Sequence, residues 1–186
     1  MMRALKQQTQ AFIKDKKGVG AIEFAIIFPV LLVLYLGAFE LTVAFNIYKR
    51  TASTAGSIGD LVAHQPEVSK AFLATSEHLA AAIFMPYKAT DMSIKITGIE
   101  VDDKSVARVK WSWEKGKNAP YAVNSAIALP SSMSQPKRFF IRTELSISHA
   151  ILRFLTSSET AIQPITISND DLYEKRHSDP ILCKDC

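Results

Sequence analysis

The sequence lacks the short motifs that mark most enzyme families. It contains no G-x-S-x-G, no H-E-x-x-H and no glycine-rich phosphate-binding loop. Its four histidines are scattered, and its carboxylates are of an ordinary kind that does not by itself make a site. We therefore expect no catalytic residue, no cofactor and no metal, and we predict that the protein is not an enzyme.

Positive charge is missing from a long internal stretch. No Lys or Arg occurs between Val19 and Tyr48, whereas the first eighteen residues hold five basic residues and one acidic residue. From Lys49 onward, 17 basic residues face 15 acidic ones. The sequence pI of about 9.0 therefore comes mostly from the beginning of the chain. No basic patch with interleaved aromatic residues is found, so nucleic acid is not an expected partner.

The uncharged stretch is long enough to cross a membrane. Sixteen residues without a charge separate Glu23 from Glu40, and the apolar character continues to Tyr48. As a helix, residues 24–48 would be about 37 Å long, against roughly 30 Å for the hydrocarbon core of a bilayer. We predict a basic cytoplasmic leader over 1–18, a transmembrane helix over 19–48 and an extracytoplasmic α+β domain over 49–186.

The flanking charges predict the orientation of this helix. Basic residues concentrate in the leader, and such an excess stays in the cytoplasm, so we expect the N terminus inside and a single pass through the cytoplasmic membrane. A buried core helix is one alternative, although the length and the basic flank favour a membrane. A secretory signal peptide that ends near the small residues 51–57 is another, although the apolar region is longer than such signals have.

The start of the apolar stretch carries a glutamate, which a simple anchor does not need. Gly18–Phe24 reads G-V-G-A-I-E-F and resembles the processing site of type IV prepilins. The wider stretch, from Lys16 to about Arg50, is similar to the TadE-like family of minor pseudopilins, which belong to the tight-adherence (Flp) pilus systems of bacteria. In that family a basic leader and a glycine precede Glu-Phe, a proline-containing apolar helix and a second glutamate. Glu23, Phe24, Pro29 and Glu40 occupy those places.

The resemblance implies a function in pilus assembly. A prepilin peptidase would cut between Gly18 and Val19, so that Gly18, Val19, Glu23 and Phe24 form the processing site. The new ammonium group on Val19 would need a partner, and the Glu23 carboxylate can supply one. The implied partners are the membrane, the prepilin peptidase, other pilin-like subunits and the pilus assembly machinery, and the implied location is the bacterial inner membrane.

Small residues along the apolar stretch predict where helices pack. Without a hydrophobic driving force inside lipid, helices associate by shape, and small residues let their backbones approach closely. The predicted helix-packing residues are Gly20, Ala21, Ala25, Pro29 and Gly37. We expect Pro29 and Gly37 to be tolerated within a lipid-embedded helix.

The rest of the chain predicts helices followed by an antiparallel sheet, in a pilin-like α+β domain. The first helix is expected to continue to about Ala63, and a second helix to begin at Pro66 and end at Met85. Alternation of apolar residues predicts a hairpin of Met92–Val101 and Val106–Trp113. Further strands are predicted over Arg138–Ser148 and Ile162–Ile167.

Two cysteines complete the sequence as a C-x-x-C at Cys183 and Cys186. No βαβ unit surrounds them, so a thioredoxin-like redox site is not indicated. In an oxidising compartment we expect a disulfide, which would either close a small local ring or link the chain to a partner. Zinc binding together with His177 is a weaker alternative.

Two other functions fit parts of the sequence. An unprocessed single-pass protein could bind a protein or a surface glycan, for which Trp111 and Trp113 would offer an aromatic platform. A secreted domain released by cleavage would begin near Ser57. Neither alternative explains why Gly18 and Glu23 occur in this order.

Overall fold

The computed structural model describes residues 18–85, 92–150, 163–176 and 179–186. The predicted leader up to residue 17, the start of the last predicted strand at Ile162, and His177 lie outside these ranges. The elements in chain order are α1 (Val19–Ala63), β1 (Glu67–Val68), α2 (Lys70–Phe84), β2 (Ser93–Val101), β3 (Ala107–Glu114), β4 (Phe139–His149), β5 (Ile165–Glu174) and β6 (Leu182–Cys183). A long apolar helix together with a small antiparallel sheet confirms the predicted α+β class.

Helix α1 is 45 residues long and contains Pro29. The chain divides into two compact units, with the boundary between Val43 and Ala44. In the first unit, α1 is long and apolar enough to cross a membrane, and none of its most apolar stretch is buried within the protein. A core helix of a soluble protein would be mostly buried, so this exposure favours the membrane interpretation. The proposed end of the membrane span at residue 48 stays a prediction.

In the second unit, the end of α1 packs on the sheet through one apolar stripe. Its buried residues recur at helical spacing and are Ile47, Thr51, Thr54, Ala55, Ile58, Gly59, Val62 and Ala63. A Cβ atom added to Gly59 would lie 3.3 Å from Thr143 Oγ1 and 3.4 Å from the Tyr173 Cβ. Glycine therefore weakens the helix locally but allows it to approach β4 and β5 closely.

Helix α2 begins later than the sequence suggested. Pro66 is not its first residue, because the helix starts at Lys70 and Ser69 is its N-cap. The Ser69 hydroxyl accepts a hydrogen bond from the Phe72 amide at 3.2 Å, which is the standard role of a serine at this position. The two residues before the cap are extended, since β1 pairs in parallel with β6.

The main sheet has the strand order β3-β2-β4-β5, and all its neighbours are antiparallel. The predicted hairpin is confirmed as β2 and β3, and the third predicted strand is confirmed as β4. The last predicted strand is found over Ile165–Ile167, but β5 continues beyond its predicted end to Glu174. The polar residues 169–171 indicate a turn when considered alone, but β4 pairs with them and holds them in the sheet.

Both tryptophans belong to the core. Trp111 and Trp113 are only 5% and 7% exposed. The Trp111 indole lies over Gly98, its partner on β2, where a Cβ atom would come within 2.5 Å of the ring. The aromatic platform suggested for glycan binding is therefore not available, because neither ring presents its face to solvent.

The connection between β3 and β4, residues 115–138, covers the edge of β3 and the side of the sheet opposite α1. Its backbone bonds to the strand, with Val109 N donating to Ser125 O at 3.0 Å and Ile127 N donating to Ala107 O at 3.1 Å. Apolar side chains from this connection pack on a buried cluster of sheet residues, formed by Ile99, Val101, Ala107 and Phe140. The connection is thus part of the core although it contains little regular structure.

Candidate functional site

The predicted processing site lies at the beginning of α1. Gly18 directly precedes the helix and is exposed, and Val19 is its first residue and is 47% exposed. A side chain placed on Gly18 would meet no atom within 4 Å. The peptide bond between Gly18 and Val19 is therefore reachable from solvent or from a membrane-embedded enzyme, as far as the described residues are concerned.

Glu23 lies four residues after Val19 in the same helix, which is one helical turn. Residues at this spacing lie on the same side of a helix, with Cβ atoms about 5–6 Å apart. An ammonium group at Val19 and the Glu23 carboxylate would thus be neighbours within one chain. Phe24, the next residue, is 61% exposed, and its ring centroid lies 5.5 Å from that of Phe28, with the two rings tilted.

Most of the predicted packing residues lie along one row of the helix. Ala21, Ala25, Pro29 and Gly37 are separated by four or eight residues, which places them on one of the ridges that run along a helix surface. Gly20 lies off this row. The added Cβ atoms at Gly20 and Gly37 would meet nothing within 4 Å. The row is therefore open in the isolated chain, and its role in packing stays a prediction.

The basic flank after the apolar stretch has a structural role that the sequence analysis missed. Arg50 Nη1 donates to the carbonyl oxygens of Ile83 at 2.6 Å and Met85 at 2.9 Å. These carbonyls belong to the end of α2, which has no basic residue of its own in the last turn. Cations stabilise helix C-termini. The absence of such a residue in α2 was the one signal that could have suggested a partner elsewhere in the chain.

These observations describe an exposed, uninterrupted apolar helix that begins at a glycine and carries a glutamate one turn inside. Residues 18–56 match the family model of TadE-like proteins. The resemblance stated over Lys16 to about Arg50 is therefore confirmed from Gly18 onward, and the match ends a few residues further along, in the part of α1 that packs in the second unit. No curated protein and no solved structure gives a match to this chain.

The TadE-like segment points to a part in tight-adherence pilus systems and to membrane association. The match includes Gly18, Val19, Glu23 and Phe24, and all the predicted packing residues. It ends before the sheet begins, so the comparison carries no information about β1 to β6. With one apolar helix in the described residues, the chain is a candidate single-pass membrane protein.

The residues that the structure describes offer little for a metal. Among the residues that the structure describes, one group could bring three ligand atoms together, namely Cys183, Asp185 and Cys186. The two sulfur atoms are joined in a disulfide and thus do not act as thiolate ligands. His64 instead makes local contacts to Asp60, whose carbonyl oxygen lies 2.8 Å from His64 Nδ1.

A pocket of about 510 Å³ lies beside this histidine, between the end of α1 and the end of β5. Its wall includes Tyr173, Lys175, Arg176 and Asp179, so both signs of charge are present. The hydrogen bond to the Asp60 carboxylate raises the pKa of Tyr173, with burial as a smaller cause. Nothing in this mixture selects one class of ligand, and we assign it no binding function.

Proposed function

We propose that this chain is a minor pseudopilin that takes part in assembly of a tight-adherence (Flp-type) pilus. The observation that supports this most strongly is the TadE-like match over residues 18–56, which spans Gly18, Glu23 and the exposed apolar helix together. In this proposal the protein acts by packing against other subunits, without enzymatic activity. The family match supports the pilus system, and the finer role is our inference.

Processing is the first step of the proposal. A prepilin peptidase cleaves between Gly18 and Val19, on the cytoplasmic side, because the basic leader keeps the N terminus inside. Cleavage creates an ammonium group on Val19. An unpaired charge within the membrane is costly in free energy. Glu23 of the same or a neighbouring subunit provides a partner, and the ion pair offsets part of the desolvation cost of both groups.

Assembly is the second step. Apolar side chains cover α1 on all sides in the first unit, for example Leu31, Val33 and Leu34 at 52%, 68% and 64% exposure. In lipid, such a surface gives no preference for a particular neighbour. The row of Ala21, Ala25, Pro29 and Gly37 gives it a shape that a second helix can fit closely. Pilin-like subunits that present a similar helix are the proposed partners.

The processing step is tested on the full chain in its native bacterial host. We expect the membrane-bound protein to begin at Val19 when its intact mass and N-terminal peptide are measured. Gly18→Leu should leave a full-length species, whereas Gly37→Leu should be cleaved normally. A side chain at either glycine would meet no atom within 4 Å. Neither variant therefore introduces a clash within the chain, and the two differ only in their distance from the leader. Equal cleavage of both variants would contradict the proposal.

The role of Glu23 is tested separately from cleavage. Glu23→Gln removes the charge and keeps the shape of the side chain. We expect this variant to be processed at Val19 but to co-purify less with pilin-like subunits after cross-linking in the membrane. Glu40→Gln is the matched control, since Glu40 lies seventeen residues further along the same helix. If both variants associate equally well, the ion pair has no part in assembly.

The alternative is an unprocessed membrane protein whose second unit binds a protein or a glycan. It predicts an N terminus at Met1 in the membrane fraction. The buried positions of Trp111 and Trp113 remove the aromatic platform that this alternative relied on. A soluble product that starts near Ser57 is also disfavoured, because Thr54, Ala55 and Ile58 lie in the buried stripe of α1.

A further inference from the structure

The segment Ile181–Cys186, which we call the strap, is attached to the second unit at several points. The Ile181 side chain is fully buried, and its carbonyl oxygen accepts a hydrogen bond of 2.7 Å from the buried Trp111 indole. The next residues form β6, which pairs with β1. The Lys184 amide then donates to the Val68 carbonyl at 3.1 Å. The strap is thus a folded part of the unit.

Asp185 connects the strap to the N-terminus of α2. Its Oδ1 accepts a hydrogen bond of 2.7 Å from the backbone amide of Lys70. This amide belongs to the first turn, where the helix provides no acceptor. Ser69 satisfies a different amide of that turn, that of Phe72. A carboxylate at this end also interacts favourably with the helix dipole, so Asp185 completes the capping that Ser69 begins.

The disulfide encloses the two residues that make these contacts. Cys183 and Cys186 are three positions apart, with Cα atoms 5.6 Å from each other, and the ring they close contains Lys184 and Asp185. A ring restricts the conformations of the detached strap, which favours the attached state. For a loop of this length, the chain-entropy relation corresponds to a factor of about 20 in the ratio of attached to detached strap.

We propose that Cys183 and Cys186 form an oxidation-dependent latch that holds Asp185 on the N-terminus of α2. In the reduced chain, one cysteine thiolate attacks the disulfide of an external dithiol–disulfide oxidant and forms a mixed disulfide. The other cysteine thiolate then displaces the oxidant, which leaves as a dithiol. The two thiols lose two electrons and two protons in total, and the oxidant disulfide gains them. Closing of the ring fixes the strap.

The latch goes beyond pilus assembly and depends on the proposed function in one respect only. An oxidant of this class acts outside the cytoplasm, so its supply follows from the proposed orientation of the chain. The effect of the ring on the strap does not depend on processing at Gly18 or on any pilus subunit. A failure of the latch and a failure of the pilus proposal are therefore distinguishable, because the two are measured at opposite ends of the chain.

Hydrogen exchange of the full chain in detergent micelles tests the latch. Peptides that cover Lys70 and Lys184 are followed by mass spectrometry before and after reduction with a phosphine. We expect reduction to lower the protection of both amides about 20-fold and to leave the amides of β2 and β4 unchanged. Unchanged protection at Lys70 and Lys184 would overturn the proposal. Loss of protection throughout the sheet would also overturn it, since the disulfide would then be a global crosslink.

Substitutions separate the ring from the carboxylate. The double variant Cys183→Ser, Cys186→Ser should exchange like the reduced chain and should not respond to reductant. Asp185→Ala keeps the ring but removes the acceptor, so it should lower protection at Lys70 while leaving Lys184 protected. Asp103→Ala is the control, because that side chain is 83% exposed and remote from the strap in the sequence. A double variant that exchanges like the oxidised chain, or Asp185→Ala with native protection at Lys70, would refute the latch.

Discussion

The contact between Gly98 and Trp111 gives a sharp test of the packing described above. A Cβ atom added to Gly98 would lie 2.5 Å from both Cε2 and Nε1 of the Trp111 indole, and 2.9 Å from the Phe139 Cζ. These distances are far inside van der Waals contact. Both aromatic side chains are at most 5% exposed, so neither can move into solvent without opening the core. We therefore predict that Gly98→Ala strongly destabilises the second unit.

The magnitude follows from two destabilising effects, which one stabilising effect partly offsets. Forcing one extra methyl group into a packed core costs about 1–3 kcal/mol. If the indole shifts, its bond to the Ile181 carbonyl is lost, and a buried acceptor left without a partner costs roughly another 1–3 kcal/mol. Alanine recovers about 0.5–1 kcal/mol because it restricts the unfolded chain more than glycine does. The expected net loss is about 1–5 kcal/mol in the free energy of unfolding.

Urea unfolding of the full chain in detergent micelles measures this loss. The protein has two tryptophans, both buried in the second unit, so their fluorescence reports on this unit alone. At a slope of about 2 kcal/mol per molar urea, the midpoint should fall by roughly 0.5–2.5 M. Gly116→Ala is the control. It has a positive φ of 65° but no neighbour within 4 Å, so only backbone strain of about 1–2 kcal/mol is expected.

A double-mutant cycle identifies the cause. In a Trp111→Phe background the larger ring system is absent, and Gly98→Ala should cost at least about 1 kcal/mol less than in the native chain. Trp113 still reports the transition. If Gly98→Ala has the same effect in both backgrounds, or no effect in either, the proposed clash with Trp111 is wrong.

Three further substitutions test the contacts of α2 and the charge of β3 by the same unfolding assay. Arg50→Ala should lower stability by about 2 kcal/mol, because it leaves the Ile83 and Met85 carbonyls without this donor. Lys49→Ala removes a cation–π contact with Phe45 and should cost less than about 1 kcal/mol. Equal losses in the two variants would contradict this role for Arg50. Ser69→Ala should cost about 1 kcal/mol through loss of the N-cap, and an unchanged midpoint would show that Asp185 caps the helix alone. The hydrogen bond from Lys117 holds the pKa of Glu114 below its ordinary value of 4.5, against the opposing effect of burial. The stabilisation from the ionised Glu114 is therefore complete above pH 4.5 and is lost as the pH falls through the lowered pKa. The difference in the free energy of unfolding between the native chain and Glu114→Gln should shrink on acidification from pH 7 to 3. A constant difference would refute the assignment.

The parts of the fold that were predictable are those whose pattern is local. Alternating apolar residues over Met92–Val101 specify a strand whatever surrounds them, and β2 is found there. The long uncharged apolar stretch before Glu40 is likewise a local pattern, and it specifies a helix. The resemblance to the TadE-like family also depends on short local spacing, and the family model matches residues 18–56. Processing at Gly18 stays a prediction.

The parts that were not predictable depend on residues far away in the chain. Pro66 is a good first residue of a helix, but pairing of β1 with β6 holds the next two residues in an extended conformation. Asp170 and its neighbours favour a turn, but Arg142 on the adjacent strand pairs with Asp170 at 3.1 Å. Arg50 was counted only among the basic residues from Lys49 onward, because the carbonyls it binds lie 33 and 35 residues further along the chain.

The closure of the second unit by the strap has a consequence in time. The ribosome makes Lys70 well before Asp185, which follows 115 residues later. At a synthesis rate of about 5–20 residues per second, several seconds separate the helix from its cap. During this interval β1 has no partner strand and Trp111 lacks the carbonyl it will bind. The nascent unit therefore lacks these contacts until the strap has been made, and a chaperone or a misdirected strand has that period in which to bind it.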